Sequence, residues 1–193
     1  MFDVDTFLAD CTTACRETEP RLAVRDVLAR ALADLPAIAT ALPPTRAGIT
    51  PLHVSADLTV LEVVWAPGMT LPIHDHRMWA AIGLYTGAED NSFFHRDGRS
   101  VVATGGRALR PGDVCLLGAD AVHQVHNPSR ELAGAIHIYG GDFFATPRSE
   151  WHGSPPLEEP LDMDRLLARF DTAAVEGDEG GRGGADPGAD ATA

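Results

Sequence analysis

The chain has 193 residues, 45% hydrophobic and 22% charged, with a formal net charge of -13. That suits one soluble domain with extensions. The negative charge disfavours nucleic acid and anionic lipid as partners. No run of about 18 apolar residues is present to cross a bilayer. All fifteen basic residues are arginine, which excludes lysine Schiff-base chemistry and a Walker A lysine. The first residues, MFDVDTFLAD, lack the basic-then-apolar order of a signal peptide. Cys11, Cys15 and Cys115 make neither a disulfide framework nor a CxxC knuckle. A cytoplasmic location is therefore expected.

Residues 1–46 read as a helical extension. Val4, Phe7, Leu8, Cys11 and Cys15 form one apolar stripe; Val24, Val27, Leu28, Ala31, Leu32 and Leu35 form a second. Pro20 stands where the second helix starts, and Pro36 where it is expected to stop. Residues 47–147 change character. Short runs of Val, Ile, Leu and aromatics alternate with turn signals such as Ala66-Pro67-Gly68, Arg96-Asp97-Gly98 and Arg110-Pro111-Gly112-Asp113. Strands are expected at 49–54, 58–66, 78–86, 91–96, 100–108, 113–117, 121–126 and 132–139. That spacing predicts a sandwich or barrel. Residues 148–173 read as a proline-rich connector followed by a short helix at about 161–170. Residues 174–193 are Gly, Ala and acid, too poor in apolar surface to offset their ordering entropy, and read as a disordered tail.

The histidines carry the chemistry. His74 and His76 lie two apart in a strand-like run, so both imidazoles point to one face. His123 follows in a later strand. Three neutral nitrogens suit Fe, Ni, Cu or Zn, whereas Mg or Ca prefer oxygen. His126, three after His123, has the opposite parity and reads as outward. Arg77 directly follows the pair and reads as pointing away from it.

The surrounding residues match a known pattern. Gly68, His74, His76 and Gly87, followed by Gly112, His123 and Asn127, resemble the two motifs of the cupin superfamily, G(x)5HxH…G and G(x)5PxGxxH(x)3N. Gly118 and Asp120 replace the Pro and second Gly of the second motif, and both suit a tight turn. The resemblance implies a mainly β double-stranded β-helix (jelly-roll) barrel with N-terminal helices and a short C-terminal helix. It also implies His74, His76 and His123 as metal ligands. The usual fourth cupin ligand, a Glu, falls at Ala80.

Within cupins, an HDH without Glu resembles the thiol dioxygenases that act on cysteine or mercaptopropionate. Val64-Trp65-Ala66-Pro67-Gly68, Pro72-Ile73-His74-Asp75-His76-Arg77-Met78-Trp79 and Gly134-Ala135-Ile136-His137-Ile138-Tyr139 carry that likeness. The resemblance implies Fe(II) as cofactor, O2 and a small thiol as substrates, and His137 and Tyr139 as the catalytic pair beside them. A homo-oligomer is compatible with it. Three family features are replaced. The relay Ser is Ala135, the cross-linking Cys falls at Ala80, and no Arg lies just before Leu52-His53, the nearest being Arg46. A substrate carboxylate would then have to be reached by Arg46 or His53. The alternative reading is a metal-binding cupin without oxygenase activity: a small-ligand sensor, lyase or isomerase.

Overall fold

The computed structural model describes residues 1–180. Helices α1 (Val4–Ala14) and α2 (Pro20–Ala31) lead, through a 3-10 turn, into α3 (Leu35–Ala41). Asp3 caps α1 by accepting from the Thr6 amide, and Asp34 caps α3 through the Ala37 amide. Pro36 therefore opens a third helix rather than ending the second. Its missing N–H falls in the first turn, where none is needed.

Eleven strands follow. The sequence-expected runs correspond to β1 (Gly48–Val54), β2 (Thr59–Trp65), β4 (Ala80–Thr86), β5 (Glu89–Asp97), β6 (Ser100–Leu109), β7 (Val114–Leu117), β8 (Val122–His126) and β9 (Ala133–Tyr139). Short β3 (Ile73–Asp75) stands apart from β4, which begins after the turn at Arg77 (φ 56°). One sheet is ordered β1-β2-β9-β4-β7, the other β11-β10-β3-β8-β5-β6. All paired strands are antiparallel. Strands distant in sequence thus alternate between two facing sheets, which is the double-stranded β-helix.

Residues 148 onward do more than connect. They supply β10 (Ser149–His152), which pairs with β3, and β11 (Leu157–Pro160), which extends the sheet edge. Helix α4 (Met163–Gly180) runs past the helix expected at about 161–170, so the first part of the expected tail is helical. Residues 181–193, the rest of that expectation, lie outside the described residues. Among the described residues no helix is long and apolar enough to cross a membrane.

The three central strands of the first sheet, β2, β9 and β4, are buried on both faces, and their alternation divides two cores. Leu61, Val63 and Trp65 of β2, with Ala80 and Ile82 of β4 and Tyr139 of β9, point between the sheets. Val60, Ala81, Tyr85, Ile136 and Ile138 point outward under Phe7, Cys11, Leu28, Leu32 and Ile38 of the helical layer. Gly83 makes that contact close: a Cβ there would stand 2.8–2.9 Å from Leu32 and Leu28 methyls. Leu28 is fully buried. Leu28→Ala is expected to lower unfolding free energy by about 2–5 kcal/mol, measured by urea denaturation. Metal uptake should be unchanged, because the histidines lie across the sheet. On the far side, α4 lays Leu166 and Phe170 into the inner core, with the Phe170 ring 5.2 Å from that of Trp65.

Candidate metal centre

β3 and β8 run antiparallel with His74 directly opposite His123. A cross-strand pair shares one face, so both rings point into the barrel. His76 lies just past β3 and joins them. The ring centroids are 4.6 Å (His74–His123), 4.8 Å (His76–His123) and 5.1 Å (His74–His76) apart. One nitrogen from each lies within 4.8 Å of the others, and all three residues are buried.

The donor set fits a cation. His74 Nδ1 lies 2.9 Å from the Pro72 carbonyl. A carbonyl only accepts, so Nδ1 carries the proton and Nε2 offers its lone pair. His123 Nδ1 lies 2.8 Å from Asn91 Oδ1, leaving its Nε2 free in the same way. His123 Nε2 and His76 Nε2 stand 3.3 Å apart. Two nitrogens bound at about 2.0–2.1 Å to one metal stand about 3 Å apart at octahedral or tetrahedral angles. Burial drives the His74 pKa down to about 4, and drives His76 and His123 well below the ordinary histidine value. All three are thus neutral bases ready to donate.

Asp75, between the first two histidines, anchors their strand. Its carboxylate is fully buried, paired with Arg77 at 2.6 Å and with Arg96, and accepts the Ser149 amide at 2.8 Å. Arg77 therefore turns away from the cavity, as its parity predicts. His126 also stays outside, hydrogen-bonded to Thr70 at 2.9 Å.

His137 and Tyr139 project inward from β9. The Tyr139 hydroxyl lies 3.0 Å from His137 Nδ1, and its ring packs 4.9 Å from that of His76. Trp65 covers His137 at 6.0 Å. The structure thus brings together all five residues singled out from sequence.

Three residues at the site escape the sequence reading. Glu89, at the start of β5, is completely buried and accepts from Trp65 Nε1 and Asn91 Nδ2, each at 2.9 Å. It faces His137 Nε2 at 3.5 Å. Asn91 in turn bridges Glu89 and His123. Their signal was available, since Glu89, Asn91 and Phe93 alternate as one strand face with polar residues at the inward positions. The third is Arg148. It is 6% exposed and lines the same cavity as the three histidines and Tyr139. Its guanidinium carbon sits 3.9 Å from the Phe143 ring centroid, and none of its three nitrogens has a hydrogen-bond partner among the described residues. Burial lowers its pKa. Arg46 and His53 do not replace it. The Arg46 side chain is 65% exposed and 3.9 Å from Asp171, and neither residue lines the histidine cavity. The arginine that does stand at the histidine cavity is Arg148, which enters from the segment before β10.

The cavity is small, with about 20 Å³ of free space.

No protein-family model matches the chain. Solved structures similar to it include an RmlC-like cupin with a double-stranded β-helix fold from Methanocaldococcus jannaschii (10% identical, over 49% of this chain and 79% of that one, TM-score 0.41). Others are a Bacillus halodurans protein (17%, 54% and 77%, TM-score 0.48) and the DMSP lyase DddQ of Ruegeria pomeroyi (20%, 48% and 42%, TM-score 0.38). The fold statement rests on the strand order itself: the chain is a cupin-type double-stranded β-helix whose centre holds a three-histidine group able to bind a metal ion.

Proposed function

We propose that the protein is a mononuclear non-haem Fe(II) thiol dioxygenase-like enzyme that adds O2 to a small thiol bearing a carboxylate, giving the sulfinate (RSH + O2 → RSO2H). The observation that carries this reading is one small cavity lined by three neutral imidazoles, a Tyr139–His137 pair and a buried guanidinium with no hydrogen-bond partner among the described residues. His74, His76 and His123 would hold the iron, which would supply adjacent coordination positions for the thiolate and O2. An all-neutral donor set favours an anionic sulfur over a neutral ligand.

Arg148 supplies what recognition of the other end of the substrate requires. A planar guanidinium with free N–H groups matches a carboxylate in a two-pronged contact. Holding both ends of a three- or four-atom molecule fixes the sulfur at the histidines and contributes through proximity and orientation. Tyr139 stands beside His76, where its hydroxyl can hydrogen-bond the reacting atoms. The side chains that make these contacts are buried, and a lower local dielectric strengthens them.

The test is oxygen uptake by the iron-loaded protein with a panel of small thiols, with sulfinate measured as product. Carboxylate-bearing thiols should be oxidised and neutral thiols of the same length poorly. Tyr139→Phe should retain iron and slow turnover, because it removes the hydroxyl that stands beside the reacting atoms without removing a metal ligand. If no thiol consumes oxygen, the oxygenase reading fails, leaving a metal-binding cupin that senses or rearranges a small ligand.

A further inference from the structure

Glu89 is a buried acidic side chain without an arginine on it. Its three polar neighbours are the Trp65 indole N–H, the Asn91 amide and His137 Nε2. From it two arms reach the metal cavity. One runs through Asn91 to Nδ1 of His123; the other runs through His137 to the Tyr139 hydroxyl. We propose that Glu89 is the positioning residue that sets the proton arrangement of both arms, fixing His123 as a metal ligand and turning the Tyr139 hydroxyl toward His137. This rests on reading the three histidines as a metal site.

An ionised carboxylate accepts hydrogen bonds and donates none. Asn91 must therefore present its NH2 to Glu89, which leaves its carbonyl oxygen facing His123 Nδ1. That oxygen can only accept, so His123 is protonated on Nδ1 and its Nε2 lone pair faces the cavity. His137 Nε2 has no hydrogen-bond partner and faces Glu89 Oε2 at 3.5 Å. A lone pair there would oppose a negative oxygen, so the imidazole proton belongs on Nε2. Nδ1 then accepts, and Tyr139 donates to it. The oxygen lone pairs of Tyr139 are left to the cavity. Burial alone would raise the Glu89 pKa, but the contacts from His137, Asn91 and Trp65 outweigh it and hold the group below its ordinary value.

Glutamine cannot take this place. With its oxygen toward Trp65 and His137, its NH2 meets the NH2 of Asn91. Asn91 must then rotate and offer a donor to His123 Nδ1, which moves the His123 proton onto the metal-facing nitrogen. With its oxygen toward Asn91, its NH2 meets the Trp65 N–H and drives the His137 proton to Nδ1. Either way one arm inverts.

The experiment is long-range 15N–1H correlation of the histidine rings in the full-length, 15N-labelled protein without metal, with zinc titrations alongside. In the wild type, His123 should carry its proton on Nδ1 and His137 on Nε2. Glu89→Gln should invert one of the two. Where His123 inverts, zinc affinity should fall about 10–100-fold, the usual effect of losing a partner behind a ligand. Trp65→Phe, which removes a donor but keeps the carboxylate, should leave both rings as in the wild type. Protonation of wild-type His137 on Nδ1, or a Glu89→Gln protein with both rings unchanged, overturns the proposal. The wild-type spectrum decides it even if the variant does not fold. None of these readings uses a thiol or oxygen, so they stand or fall separately from the dioxygenase assay.

Discussion

His76→Ala is expected to abolish stable metal binding while leaving the metal-free protein at least as stable as the wild type. The two effects have different origins. His76 Nε2 stands 3.3 Å from His123 Nε2, so removing it leaves two donors on opposite strands. Loss of a residue merely supporting a ligand typically costs 10–100-fold in affinity, so loss of the ligand itself should exceed about 100-fold. Without metal, however, His76 is a burden. Its ring is buried and its Nδ1 has no hydrogen-bond partner, and an unsatisfied buried polar group costs about 1–3 kcal/mol. Alanine removes that cost but leaves a small cavity, so the net change should lie near zero. Metal analysis after anaerobic purification reads the first effect. Thermal shifts with and without added metal read both, because a ligand that binds only the folded state raises the melting temperature by mass action. His74→Ala and His123→Ala should behave alike, and His126→Ala should not. Unchanged metal content in all three ligand variants would remove the site.

The contrast between these histidines and the residues behind them explains what could be seen in the sequence. The period-two spacing of His74 and His76, and the parity that separates His123 from His126, follow from strand geometry alone. Glycines at fixed distances place the turns: Gly68, Gly87 and Gly112 all adopt positive φ (69°, 77° and 96°). Helix stripes such as Val24, Val27 and Leu28 survive for the same reason, since each is a local pattern that burial later enforces. Pairing across long loops leaves no such mark. β10 and β11 are four residues each, and the β10–β3 pairing that seats Glu150 opposite His74 is a contact between segments about 75 residues apart. Arg148 belongs to that stretch. A Pro-Arg-Ser sequence reads as exposed connector until β10 pairs with β3 and carries the arginine into the barrel. For Glu89 the alternation with Asn91 and Phe93 marks a shared strand face but not which way it points: an acid beside Asp90 reads as surface, and only Trp65, Asn91 and His137 together make its burial affordable.

Arg148→Met should make the protein more stable and, on the proposed function, a poorer enzyme for one class of substrate only. A guanidinium that is 6% exposed and lacks hydrogen-bond partners retains a desolvation cost that its place over Phe143 only partly offsets. A cation over an aromatic face contributes about 0.5–2 kcal/mol, while burying an ion without a full partner costs several kcal/mol. Methionine fills similar volume with no charge, so a gain of about 1 kcal/mol is expected, or roughly 2–4 °C in melting temperature for a chain of this size. The kinetic effect has the opposite sign. Charge-assisted hydrogen bonds are worth about 1.5–3 kcal/mol, so a substrate held by its carboxylate should show KM raised by about 10–100-fold. Because Arg148 acts on the end of the molecule remote from the sulfur, kcat should change less than KM. Neutral thiols, which never met the guanidinium, should be unaffected or bind better. Arg148→Lys should recover part of the difference, since it restores charge without the two-pronged geometry. A stability loss with equal damage to charged and neutral thiols would show that Arg148 holds the barrel together rather than the substrate. Higher stability with a carboxylate-selective KM defect would show a residue kept at a cost to folding because the ligand, when it arrives, supplies the missing partner.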